Sequence, residues 1–127
     1  MKYMAACSFG KDSIATVILA KEHNEPLDEV VYCEVMFDDE ISGEVPEHRQ
    51  FIYETAKPIF ESWGIKVTIL RSQKTYVSNF KHVIAKGDQA GKYGRSRFVD
   101  AVRSKGIANY HRSINTKGRW ATTLFNI

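Results

Sequence analysis

The chain has 127 residues, enough for one domain with its own core and too few to expect two. Hydrophobic residues make up 43% and charged residues 26%, which excludes a disordered or fibrous chain. The net charge of +3 conceals an asymmetry: residues 1–64 hold five Lys or Arg against thirteen Asp or Glu, whereas residues 65–127 hold thirteen Lys or Arg and only Asp88 and Asp100. That split divides the chain into an acidic core, residues 1–70, and a basic part, residues 71–127. It points to a polyanion, to an acidic partner, or to mutual attraction of the two parts within one domain. No apolar run is long enough to cross a bilayer, and residues 1–7 are too short for a signal peptide, so a cytoplasmic protein is expected.

Residues 3–7 read as a central parallel strand, apolar on both faces and ending in the small Ala5 and Ala6. Ser8, Phe9, Gly10, Lys11, Asp12 and Ser13 follow, and residues 13–23 then carry Ile14, Val17 and Ile18 at helical spacing, with Leu19 beside them. Pro26 is expected to stop this helix. Residues 30–37 predict a second buried strand, and strand, helix and strand together predict a right-handed βαβ unit. Asp38, Asp39 and Glu40 close the second strand at the end where open α/β sheets bind ligands. They are either a magnesium site or a solvated acidic loop.

Pro46 suits the first turn of a helix whose apolar face is Phe51, Ile52, Thr55, Ala56, Ile59, Phe60 and Trp63, with a kink expected at Pro58 and an end at Gly64. Residues 65–70 predict a third strand, with Val67 and Ile69 on one face. Beyond Arg71, Tyr76, Val77, Phe80, Val83 and Ile84 fit a third helix stopping at Gly87. A basic, glycine-containing loop runs over residues 87–97, a short helix is expected before Gly106, and residues 118–127 alternate like a strand. His23, His48, His82 and His111 lack metal-ligand spacing and read as ordinary residues. Cys7 and Cys33 fall in strand-like runs and read as buried thiols.

The chemistry concentrates in the turn between the first strand and helix. Backbone N–H groups there, with the unpaired donors of the helix start, would face an anion, and phosphate is the natural guest. The P-loop pattern is not met, because its first Gly is missing and Asp12, not Ser or Thr, follows Lys11. Asp12 reads instead as an N-cap or a magnesium ligand.

Ser8-Phe9-Gly10-Lys11-Asp12-Ser13 resembles the Ser-Gly-Gly-Lys-Asp-Ser signature of the PP-loop family, with Phe9 in place of the first Gly. The stretch Ile41-Ser42-Gly43-Glu44-Val45-Pro46-Glu47-His48 is similar to the acidic Pro-Glu segment of the phosphoadenosine phosphosulfate (PAPS) reductase-like branch. The resemblance covers residues 3–70 and fades beyond them. It implies a three-layer α/β/α sandwich with a mainly parallel sheet, of the adenine nucleotide alpha hydrolase-like (Rossmann-like) kind, shortened at the C-terminus.

It further implies binding of an adenine nucleotide, ATP or PAPS-like, with phosphate held by Ser8, Phe9, Gly10, Lys11, Asp12 and Ser13 and adenine against Ala5, Ala6, Val35 and Met36. Magnesium would fall to Asp38, Asp39, Glu44 and Glu47, and a phosphate clamp to Arg95 and Arg97. In the ATP pyrophosphatase branch, attack on the α-phosphate releases pyrophosphate and leaves an adenylated substrate. No cysteine follows Cys33, so the resemblance does not extend to thiol-based PAPS reduction. Three readings stay open. They are a nucleotide-dependent enzyme, a non-catalytic inhibitor or adaptor that binds a protein partner on the same fold, and nucleic-acid binding through the basic part, with Tyr76, Phe80, Tyr93, Phe98 and Tyr110 among its cations. The short length also suggests a homodimer in which a second chain supplies a missing strand.

Overall fold

A computed structural model describes residues 2–81, 85–88, 90–92, 103, 105–110 and 113, together with the backbone of a strand at 121–126. Four strands form one sheet: β1 (Lys2–Ala6), β2 (Glu29–Glu34), β3 (Lys66–Arg71) and β4 (Ala121–Asn126). Their order is β3-β2-β1-β4 and every pairing is parallel. The chain therefore steps outward from β1 through β2 to β3 and then returns to the other side of β1. The strand order reverses at β1, which makes its C-terminal end the switch point where such sheets open a crevice.

Helix α1 (Lys11–Glu22) links β1 to β2. Its buried side is Ser13, Val17 and Ala20, with Ile14 packed against the core, while Ile18 and Leu19 are exposed. The helix ends well before Pro26. Asn24 takes the left-handed conformation at φ +54°, and the Glu25 N–H donates to the Ala20 carbonyl, so a local cap, not the proline, is the stop.

The next connection is α2 (Pro46–Phe51), a π turn (Ile52–Ala56) and α3 (Lys57–Ser62). Pro58 has no N–H and its ring crowds the carbonyl four residues back. The π turn accommodates this in place of a simple kink: the Lys57 N–H reaches back to the Ile52 carbonyl, a five-residue step. Ile52, Ala56 and Phe60 are buried and Trp63 packs beside them, whereas Phe51, Thr55 and Ile59 are exposed. Gly64, at φ +81°, closes α3 as expected, with the Ile65 N–H on the Phe60 carbonyl. Helix α4 (Tyr76–Phe80) starts on a capping box in which Thr75 and Ser78 exchange side-chain to backbone bonds.

Strand alternation sorts the core into two sides. Ala5, Cys7, Val30, Tyr32 and Val67 pack with α1 and the α2–α3 helix, and Met4 and Val31 pack with Leu70, Ile107 and Tyr110. Gly106, expected to follow a helix, is itself helical within 105–110. A Cβ there would lie 2.8 Å from Cys33 Sγ, so its missing side chain lets this helix settle onto β2. Residues 82–84 of the expected third helix and 98–102 of the expected short helix lie outside the described residues.

Candidate functional site

The Ser8–Ser13 segment leaves the C-terminal end of β1 and enters α1. Gly10 is the N-cap residue, no side chain caps the helix, and the first helical bond runs from the Ile14 N–H to the Gly10 carbonyl at 3.0 Å. The N–H groups of Lys11, Asp12 and Ser13 thus precede the helical ladder. Asp12 lies inside the first turn, where its charge suits the helix dipole, and not at the N-cap. Lys11 is exposed and enters no ion pair among the described residues. Ser8 Oγ and Ser13 Oγ are 2.9 Å apart, and Ser8 Oγ also accepts from the Gly10 N–H at 3.4 Å, which stiffens the turn.

Phe9 does not cover this turn. Its ring is buried 5.5 Å from that of Tyr32, edge to face, and 5.8 Å from that of Phe60, stacked. Its backbone sits at φ +59°. Left-handed backbone costs a non-glycine residue about 1–2 kcal/mol, but burying a Phe side chain returns about 1.5–3 kcal/mol and each aromatic pair about 0.5–1.5 kcal/mol more. Packing wins, so a position whose backbone suits glycine carries Phe as a core anchor.

One contact escaped the sequence reading: His48 Nε2 lies 3.3 Å from the Ser8 carbonyl and ties the start of the α2–α3 helix to the turn. Both thiols are buried and unpaired by disulfide, and burial raises their pKa, which suits packing better than chemistry.

The acidic loop is not a cluster. Strand β2 ends at Glu34, not at residue 37, and the chain doubles back through an antiparallel bridge between Met36 and Ser42. Asp38 Oδ1 accepts the N–H groups of Glu40 at 2.9 Å and Ile41 at 2.6 Å, bonds that build the turn and hold its carboxyl below its ordinary pKa. Asp39 and Glu47 are exposed, and Glu44 pairs with Arg103. Among the described residues no three His, Cys, Asp or Glu side chains gather where they could hold a metal ion. Ala5, Ala6, Val35 and Met36 are all buried, and of these Met36 lines a cavity. Arg95 and Arg97 lie outside the described residues.

That cavity, about 470 Å³, lies at the C-terminal end of β2 and is lined by Met36, Ser42, Glu44, Arg49, Tyr53 and Arg71 among others. Beneath it is Glu34, fully buried. It accepts from Ser42 Oγ at 2.7 Å, Arg49 Nε at 2.7 Å and Tyr53 OH at 3.3 Å, with Arg71 Nε at 3.6 Å. Burial would raise its pKa, yet the bonds from Ser42 and Arg49 and the charges of Arg49 and Arg71 outweigh it, so the carboxyl titrates below its ordinary range. A carboxylate inside a run of apolar strand residues gave no signal in the sequence.

Compared with family models, with curated proteins and with solved structures, the chain matches none.

Proposed function

We propose that this protein binds an adenine nucleotide, ATP or a PAPS-like sulfonucleotide, as a short PP-loop domain whose sheet and helices form a three-layer sandwich of the adenine nucleotide alpha hydrolase-like kind. One observation carries the reading: an uncapped helix start, flanked by Lys11 and Ser13, lies at the C-terminal end of the strand where sheet order reverses. The inward-turned Phe9 ring supports it by leaving the polar side of the turn uncovered. In this reading the phosphates sit on the N–H groups of the first turn with the Lys11 ammonium beside them, and the base lies toward residues 35–36.

Calorimetric titration with ATP and with PAPS, with and without magnesium, tests this. Binding is expected for one of them, and Lys11→Ala should weaken it about tenfold or more, the loss of one charge-assisted contact. An absence of binding heat for both nucleotides, or an unchanged affinity in Lys11→Ala, would remove the proposal.

A second reading, a nucleotide-binding module that captures a protein partner without chemistry, is favoured by the dispersal of the carboxylates. Asp38 builds a turn and Glu44 holds Arg103. Nucleotide binding without pyrophosphate release in the presence of magnesium supports this reading, and steady release excludes it.

A further inference from the structure

A second cavity, about 380 Å³, lies at the C-terminal end of β3, between that strand's last residues and the helical residues 105–110. Among the described residues its lining includes Arg71, Lys74 and Lys105 and no Asp or Glu. Elsewhere in this sheet the buried charges are balanced: Glu29 and Glu34 each gather two cations. Here the balance is partial: Arg71 has Glu34 at 3.6 Å from its Nε, but neither Lys74 nor Lys105 enters an ion pair among the described residues. Three cations around one hollow, two of them without a counter-charge among the described residues, favour a bound anion.

The neutral part of the lining fits an anion as well. Ser72 and Gln73 bring further polar groups, and the Tyr110 hydroxyl is turned away to Glu29 Oε1 at 2.7 Å, which leaves its ring to form the wall. The volume falls in the range of small-ligand pockets and is far larger than the space of one ordered water. Strand order puts this cavity two strands from the Ser8–Ser13 turn, at the same end of the sheet.

We propose that this cavity is a second anion site that takes a phosphate group, carried either by a small phosphate ester or by a single nucleic-acid strand, on Arg71, Lys74 and Lys105. It does not depend on nucleotide binding at the Ser8–Ser13 turn.

The test is an NMR titration of the isotope-labelled full chain with pyrophosphate and, separately, with a short oligothymidylate. The expected result is movement of the backbone resonances of residues 71–74 and 105–110 by at least one probe. That movement persists in Lys11→Ala and weakens about tenfold or more in the Lys74→Glu, Lys105→Glu double variant, whose changes fall on exposed side chains. Movement by pyrophosphate identifies a small phosphate compound as the source. Movement by the oligonucleotide alone, with log affinity falling against log salt by about 0.7 per phosphate contacted, identifies a strand. The proposal is overturned if neither probe moves these resonances, if movement is confined to residues 8–13 and vanishes in Lys11→Ala, or if the double variant binds as the parent does.

Discussion

The two ends of β2 carry the same device in different hands. Glu29 and Glu34, its first and last residues, are both fully buried carboxylates. Glu29 draws its partners mainly from the neighbouring strands: Lys2 Nζ at 2.7 Å, Lys66 Nζ at 3.6 Å and the Thr68 hydroxyl, joined by the Tyr110 hydroxyl. Glu34 draws most of its partners from outside the sheet: Ser42 of the returning loop, and Arg49 and Tyr53 of the helix above it. One charge therefore aligns strands, while the other pins a loop and a helix over the edge where the cavities open. The cations differ accordingly. Lysines serve as point charges at the first end. Arginines serve at the second, where Arg49 uses Nε on Glu34 and lays its guanidinium 4.5 Å from the centre of the Tyr53 ring.

Cutting a cation at either end should have the largest effect. Arg49→Met and Lys2→Met each leave a buried carboxylate with one distant cation and two hydroxyls, and breaking such a pair costs about 3–5 kcal/mol when both groups are buried. The remaining partners lower this to about 2–3 kcal/mol, read as a shift in urea midpoint at constant slope. Equal losses at the two ends support a shared device. A loss below about 1 kcal/mol for Lys2→Met would break the comparison. Glu34→Gln and Glu29→Gln should cost less than the cation variants, because the freed Arg and Lys side chains are partly exposed and regain water.

Acid separates the same pair from the rest of the fold. Burial raises the pKa of both carboxyls, but at Glu29 the bonds from Lys2, Thr68 and Tyr110 prevail, and both titrate below their ordinary value. A carboxyl depressed in the folded state adds stability that is complete above the unfolded value of about 4.3 and disappears as pH falls through the folded value. Stability measured by urea should be flat from about pH 7 to 5 and decline below about pH 4. The Glu29→Gln, Glu34→Gln double variant should decline less. An equally steep decline in that variant would assign the acid sensitivity elsewhere.

The strand, turn and helix around Ser8–Ser13 were legible because each local signal agrees with the others: an apolar run, small polar residues, then apolar residues at helical spacing. The parallel pairing of β1 with β2 follows from the βαβ unit that this pattern predicts. What was illegible depends on contacts distant in sequence. Glu34, flanked by Cys33 and Val35 in a run read as a buried strand, shows nothing of its role until Arg49 and Tyr53 are known to cover it, and Tyr110 meets Glu29 across 81 residues. Likewise Pro58 announces a disturbance in a helix, but a π turn as its form depends on keeping Ile52, Ala56 and Phe60 on one buried side. At Phe9, motif resemblance marks a glycine position, and only the neighbouring Tyr32 and Phe60 rings explain the replacement.

The smallest expected effect sharpens the comparison most. Gly106 sits one turn before Tyr110, and a Cβ on it would meet Cys33 Sγ at 2.8 Å, so Gly106→Ala displaces either that sulfur or the helix that delivers the Tyr110 hydroxyl to Glu29, and displacement of the helix is expected. Overpacking costs about 1–3 kcal/mol and the gain in helix propensity returns up to about 1 kcal/mol, which leaves a net loss of about 1 kcal/mol. Because the helix meets Glu29 and not Glu34, the change should move the NMR resonances of Lys2, Thr68 and Lys66 and leave those of Ser42 and Arg49 in place. Cys33→Ala removes the obstructing sulfur, so the double variant Gly106→Ala, Cys33→Ala should lose less than the sum of the two single losses. Additive losses would mean that the sulfur does not set the helix height, and the separation between the two ends of β2 would then need another cause.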